Sequence, residues 1–215
     1  MSTVRDLTHA ERLLLAERTS LLVPLRALPE GELDRPTVCT GWSVRDVIAH
    51  CGAALMGLTA GPAYRATHEQ NRLDVEERRG WPVRDVLDEF ERGLTEAAPA
   101  IRAAGGAKDL AALGTWVHGG DVRAALGWEG AYRSEGADDA VELLARCERV
   151  VRTPQVHATL PDRTLVLGSP VADRPPARLT ADVAALVRLY TGRPVAADSY
   201  RLIGARPAEL VSAEW

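Results

Sequence analysis

Apolar residues return at three-to-four spacing through roughly five long stretches of this chain, each closed by glycine or proline, and that pattern admits little besides packed helices. The first stretch runs from Asp6 to Leu28, with Leu13, Leu14, Leu21, Leu22 and Leu25 on one face, and Pro29-Glu30-Gly31 ends it. Ser43 can cap a second helix that reaches Leu58, because Asp46 stands three residues later as in a capping box. A third stretch covers Glu69–Arg79 and Val83–Ala104, interrupted at Gly80-Trp81-Pro82, with Pro82 in the first turn of its second half. The fourth spans Asp109–Leu126 and stops at Gly127; an exposed loop follows, then a fifth helix from Gly136 to Arg152.

From Pro154 the pattern changes. Arg163–Leu167 alternates as a strand does, Thr180 can cap a helix running to Tyr190, Gly192-Arg193-Pro194 ends that helix, and Tyr200–Ile203 reads as a second strand. The expected class is therefore α+β but mainly α, with a helical bundle over residues 1–153 and a small α/β domain over 154–215.

With 46% hydrophobic and 26% charged residues the chain has the composition of a folded globule. A net charge of −4 offers no basic field for a nucleic-acid backbone, so a nucleic-acid partner is not expected. The amino-terminal segment reads as a charged helix rather than a signal, and no apolar run reaches the ~18 residues of a membrane span. A cytoplasmic protein, monomer or homodimer, acting on a small molecule is the expectation. Cys39, Cys51 and Cys147 show no CxxC spacing and read as small buried apolar residues.

Of the five histidines, His50 and His118 lie inside helices. His50 falls at the border of the stripe Val44, Val47, Cys51, Leu55 and Leu58. On the fourth helix Asp121 lies within roughly 40° of Val117 and so points at the core. A buried carboxylate needs a partner, and His118, three residues earlier, is one candidate, with Arg45 and Arg123 as others.

The run from Pro36 to His50, PTVCTGWSVRDVIAH, resembles the P-[ST]-x-C-x-G-W-x-[VI]-x-D-[VL]-x-A-H signature of mycothiol-dependent maleylpyruvate isomerase-like proteins. VHGGDVRAALG, residues 117–127, is similar to the family's second motif, and Ala184–Arg193 to the end of its small carboxy-terminal domain. The resemblance implies a DinB-like up-down bundle in which a divalent metal, usually zinc, is held by a histidine of the second helix and by an acid and a histidine four apart on a later one. Those histidines map to His50 and His118; the acid maps to position 114, which is Gly114 here. Catalytic zinc usually takes three protein ligands, so Asp121, or His68 or Glu69 from the third stretch, would have to stand in.

Three functions follow. In the first, mycothiol adds to a small unsaturated substrate at a His50/His118 site, with Trp42, Arg45, Trp116 and Arg123 as candidates for binding cofactor or an anionic substrate. In the second, the scaffold works without metal, and His118 with Asp121 performs acid–base chemistry in an isomerisation, cyclisation or elimination. The third is a non-catalytic protein that binds a small molecule in the bundle.

Overall fold

In the computed structural model, which describes residues 6–61 and 67–211, the leucine spacing of the first stretch becomes a nearly unbroken helical run. It comprises α1 (His9–Glu17), a π-helical turn (Arg18–Leu22) and α2 (Val23–Arg26), and Leu13, Leu14, Leu21, Leu22 and Leu25 are all buried. Residues 1–5, read from sequence as part of a charged amino-terminal segment, lie outside the described residues. A short 3₁₀ turn (Glu30–Asp34) leads to α3 (Val44–Thr59), and the expected capping box is present: the Ser43 side chain accepts from the Asp46 N–H while Asp46 accepts from the Ser43 N–H. Then come α4 (His68–Arg78), α5 (Val83–Ala103) and α6 (Asp109–Ala125).

The helix α3 packs on α4, α5 and α6, and α1 packs on α5 and α6. Its contact with α5 is close because both helices present glycine there. A Cβ on Gly93 would stand 2.8 Å from the Leu55 Cβ, and one on Gly52 3.2 Å from the Phe90 backbone nitrogen. That approach fixes the rotation of α3, and so the direction of His50, two residues before Gly52.

The chain divides into two compact units, residues 1–136 and 137–215. The second begins with α7 (Ala137–Arg146) and α8 (Glu148–Val151), so the fifth helix belongs with the sheet and the division falls earlier than the expected 153/154. The reason is packing: α7 lies against the sheet and its helix. Nor is that helix continuous to Arg152, because Cys147 adopts an extended ψ of 130° that breaks it.

Four strands, β1 (Val156–Thr159), β2 (Thr164–Leu167), β3 (Ala177–Ala181) and β4 (Tyr200–Ile203), form a sheet in the order β2-β1-β3-β4, with β1 and β3 parallel and the outer pairs antiparallel. Thr180 lies inside β3 rather than capping a helix; Asp182 caps α9 (Val183–Thr191), accepting from the Ala185 N–H at 2.7 Å. Threonine suits either role, and the parallel pairing with β1 decides between them. No helix among the described residues is long and apolar enough to cross a membrane.

Candidate active site

The loop before α3 is folded back on itself, which determines what it can present. Pro36 and Ser43 form an isolated bridge, the Thr37 N–H and hydroxyl both donate to the Trp42 carbonyl, and the Trp42 N–H donates to the Cys39 carbonyl. Gly41, at φ 78°, supplies the left-handed residue that this reversal requires. Cys39 and Trp42 are thereby held beside the first half of α3, where His50 sits.

The His50 ring is 8% exposed and lies 5.1 Å, centroid to centroid, from the Trp42 ring and 5.1 Å from that of His118 on α6, meeting the latter nearly edge to face at 87°. The two imidazoles therefore do converge. Burial, reinforced by the neighbouring His118, pushes the His50 pKa down to about 3, so this ring is neutral at physiological pH. Its Nδ1 is buried and has no hydrogen-bond partner among the described residues.

His118 is anchored differently. Its Nδ1–H donates to Asp121 Oδ2 at 2.8 Å, leaving Nε2 on the far edge of the ring. Asp121 is fully buried and also accepts from the Tyr132 hydroxyl at 2.5 Å and from the Cys39 thiol at 3.3 Å. Several donors on one buried carboxylate offset the cost of removing it from water. Tyr132 reaches it from the loop after α6, expected to be exposed; instead the residue is 2% exposed and takes a left-handed φ of 61°. A bulky residue there is strained, and its ring lies flat on the helix because position 120 is glycine. A Cβ at Gly120 would stand 2.4 Å from the Tyr132 ring. Gly120→Ala is therefore expected to cost about 1–3 kcal/mol by overpacking and to free the Tyr132 hydroxyl from Asp121, as read by a urea melt and the loss of tyrosine order in near-UV circular dichroism.

The remaining sequence candidates are committed elsewhere. Arg123 pairs in the interior with Glu17 and Ser20. Arg45 donates to the carbonyls of Arg78, Arg79 and Trp81, tying α3 to the break between α4 and α5. Trp116 is fully buried, with its indole N–H on the Glu135 carbonyl at 3.0 Å. Of the four cofactor-binding candidates, only Trp42 stands at the histidines.

His68 and Glu69 are exposed, and Glu69 pairs with Arg72 at 2.9 Å, so neither replaces the acid missing at 114. A Cβ on Gly114 would meet nothing within 4 Å, and the space beside this turn of α6 is open. The ligand set expected from the sequence is His50, His118 and Asp121; among the described residues, Cys39, His118 and Asp121 each bring one donor atom within 4.8 Å of the others. A metal held by two helix histidines and an acid one turn before the second thus does not fit these residues, since position 114 is glycine and Asp121 is engaged by His118 Nδ1 and the Tyr132 hydroxyl. Of the three cysteines expected to be small buried apolar residues, only Cys51 is buried; Cys39 and Cys147 are half-buried, and Cys39, like Tyr132, meets Asp121 only through the folding back of a loop.

Because His50 is buried neutral, it opposes stability in acid. The unfolded imidazole titrates near 6.5 and the folded one near 3. Stability is therefore intact above pH 6.5 and falls as pH drops through that window, by about 2 kcal/mol between pH 8 and pH 5. His50→Gln removes this component; urea melts at the two pH values should show a smaller acid loss in the variant by that amount, and equal losses would refute it.

A helical unit followed by a small four-stranded α/β unit is the fold of a DinB-like protein. The model of the mycothiol maleylpyruvate isomerase N-terminal domain matches residues 14–131, and the chain belongs to that family. The crystal structure of the mycothiol-dependent maleylpyruvate isomerase superposes with a TM-score of 0.63 over 98% of this chain and 100% of that one, at 14% identity. A histidine-to-alanine mutant of the same isomerase matches equally well, with a TM-score of 0.63 and 14% identity over the same coverage. No sequence match is found among proteins of curated function.

Proposed function

We propose that this chain is a thiol-dependent isomerase acting on a small carbonyl-conjugated alkene, with mycothiol as the thiol. The observation that carries the reading is the pinning of His118 Nδ1 by Asp121 opposite His50. Membership of the family and the shared fold support it.

A bound thiol supplies reversible addition to the double bond, which becomes a single bond free to rotate before elimination. The protein's part is proton traffic and enclosure. His118 Nε2 accepts the thiol proton as the carbon–sulfur bond forms, and Asp121 stabilises the resulting imidazolium through Nδ1–H. With thiol bound, His118 would pass that proton to the substrate carbon beside the carbonyl and take it back for elimination, so that the thiol regains it and the protons balance. His50, kept neutral by burial, can border this centre without repelling the imidazolium. Trp42 offers a flat apolar wall, and the space beside Gly114 leaves room for substrate against α6.

Purified protein supplied with mycothiol and maleylpyruvate is expected to convert the cis alkene into its trans isomer, read from the vinyl proton coupling by NMR, only when the thiol is present. Equal turnover without thiol would move the assignment to acid–base isomerisation by His118 and Asp121 alone, the second reading, which the missing acid at Gly114 favours. Absence of turnover under both conditions, across small cis-enoic acids, would overturn the isomerase reading.

A further inference from the structure

The donor atoms around Asp121 are arranged in a way that proton transfer does not require. Cys39 Sγ lies 3.3 Å from Asp121 Oδ2 and 3.7 Å from His118 Nδ1, and the latter two are 2.8 Å apart. Sulfur, nitrogen and oxygen ligands on one tetrahedral zinc lie about 3.3–3.6 Å from each other. Two of the three separations already stand close to that range, and the third opens to it by a few tenths of an ångström once an ion replaces the proton between His118 and Asp121.

The surroundings are built rather than accidental. Cys39 is pinned by its own N–H on the Thr37 hydroxyl at 3.1 Å, and its carbonyl is held by the Trp42 N–H. The Tyr132 hydroxyl on Asp121 Oδ1 leaves Oδ2 as the oxygen turned to the other donors, the outer-shell arrangement that orients a ligating carboxylate.

We propose that Cys39, His118 and Asp121 form a site for a thiophilic divalent cation such as zinc, which takes His118 through Nδ1 and does not use His50. Binding releases the Cys39 thiol proton to solvent and shifts the single imidazole proton of His118 from Nδ1 to Nε2, giving a thiolate, a carboxylate and a neutral imidazole as ligands. A metal on Nδ1 fixes the remaining proton on Nε2, so a filled site removes the base assigned above. This consequence, unlike the site itself, rests on the proposed function.

Cobalt(II) is the probe, because a thiolate ligand gives it an intense near-ultraviolet charge-transfer band that imidazole and carboxylate do not. Chelator-treated full-length protein is expected to bind one cobalt with that band and to release it to zinc. Cys39→Ser should abolish the band and weaken binding at least tenfold, whereas His50→Ala should keep both. In the wild-type chain, zinc should slow alkylation of Cys39 at least tenfold and leave Cys147 unaffected, a readout that does not depend on any variant folding. No saturable binding, a cobalt spectrum without the thiolate band, loss of binding in His50→Ala, or alkylation of Cys39 that zinc does not slow would each overturn the site. If cobalt binds as described while zinc leaves thiol-dependent turnover unchanged, the site stands and the role given to His118 falls.

Discussion

His118→Gln is expected to lower kcat/KM for the thiol-dependent isomerisation by about 10²–10⁴-fold, the range over which a positioned general acid–base group acts. Glutamine retains an amide N–H that can reach Asp121, so the buried carboxylate keeps a donor in place of Nδ1–H. What it lacks is a ring nitrogen that can accept a proton and return it. The loss should therefore appear in kcat more than in KM, with stability close to wild type by urea melt. Asp121→Asn tests the same couple from the other side, since an amide that donates to Nδ1 would hold the unprotonated nitrogen toward position 121 and place the proton on Nε2. Its pH–rate profile should move even where folding is retained. Retention of more than a tenth of wild-type kcat/KM by His118→Gln would remove His118 from the chemistry.

The largest effect on stability should come from a pair remote from any reaction. Arg123 Nη1 donates to both oxygens of Glu17 at 3.0 and 3.1 Å, Nη2 donates to Ser20 at 2.9 Å, and the two charged side chains are 4% and 0% exposed. Arg123→Met leaves a buried carboxyl without its counter-charge and is expected to cost about 3–5 kcal/mol. The double variant Glu17→Leu/Arg123→Met should recover most of that, because two apolar side chains of similar volume require no compensation.

The pH dependence has a definite sign. Burial raises the Glu17 pKa from 4.5 to about 7 against the attraction of Arg123. Its contribution is then fully present below 4.5 and is lost as pH rises toward 7. Without Arg123 the folded carboxyl should titrate higher still, so the deficit of Arg123→Met should widen between pH 5 and pH 8. Urea melts of the single and double variants at both pH values check this, and a double variant no more stable than Arg123→Met would show that packing rather than charge dominates.

The tight fit around this pair also explains a glycine. A Cβ on Gly119 would stand 2.2 Å from Glu17 Oε2, so α6 can approach α1 at this turn only without a side chain. Gly120 is needed one residue later for Tyr132, whereas a Cβ on Gly114 would meet no described neighbour within 4 Å. In VHGGDVR the paired glycines serve α1 and the following loop, while the histidine before them and the aspartate after them serve the candidate site.

What the linear order of residues determined is local. Helical spacing, Ser43 with Asp46, Pro82, and the Gly127 and Gly192 stops act within a turn or two, and the structure places the bundle helices within a residue or two of those signals. The angular position of Asp121 relative to Val117 likewise announced a buried acid beside His118, because helix geometry alone sets it.

Tertiary structure decided which partners completed the site. Arg45 and Arg123 looked suited to an anionic ligand, but their long side chains were claimed by carbonyls near Trp81 and by Glu17 across the bundle. Cys39 and Tyr132 carried no periodic signal, since they stand on segments whose path depends on a folded-back loop and a strained backbone turn. Side-chain reach and loop closure are non-local, and a sequence read along its length gives spacing without saying which distant atoms will compete for the same donor.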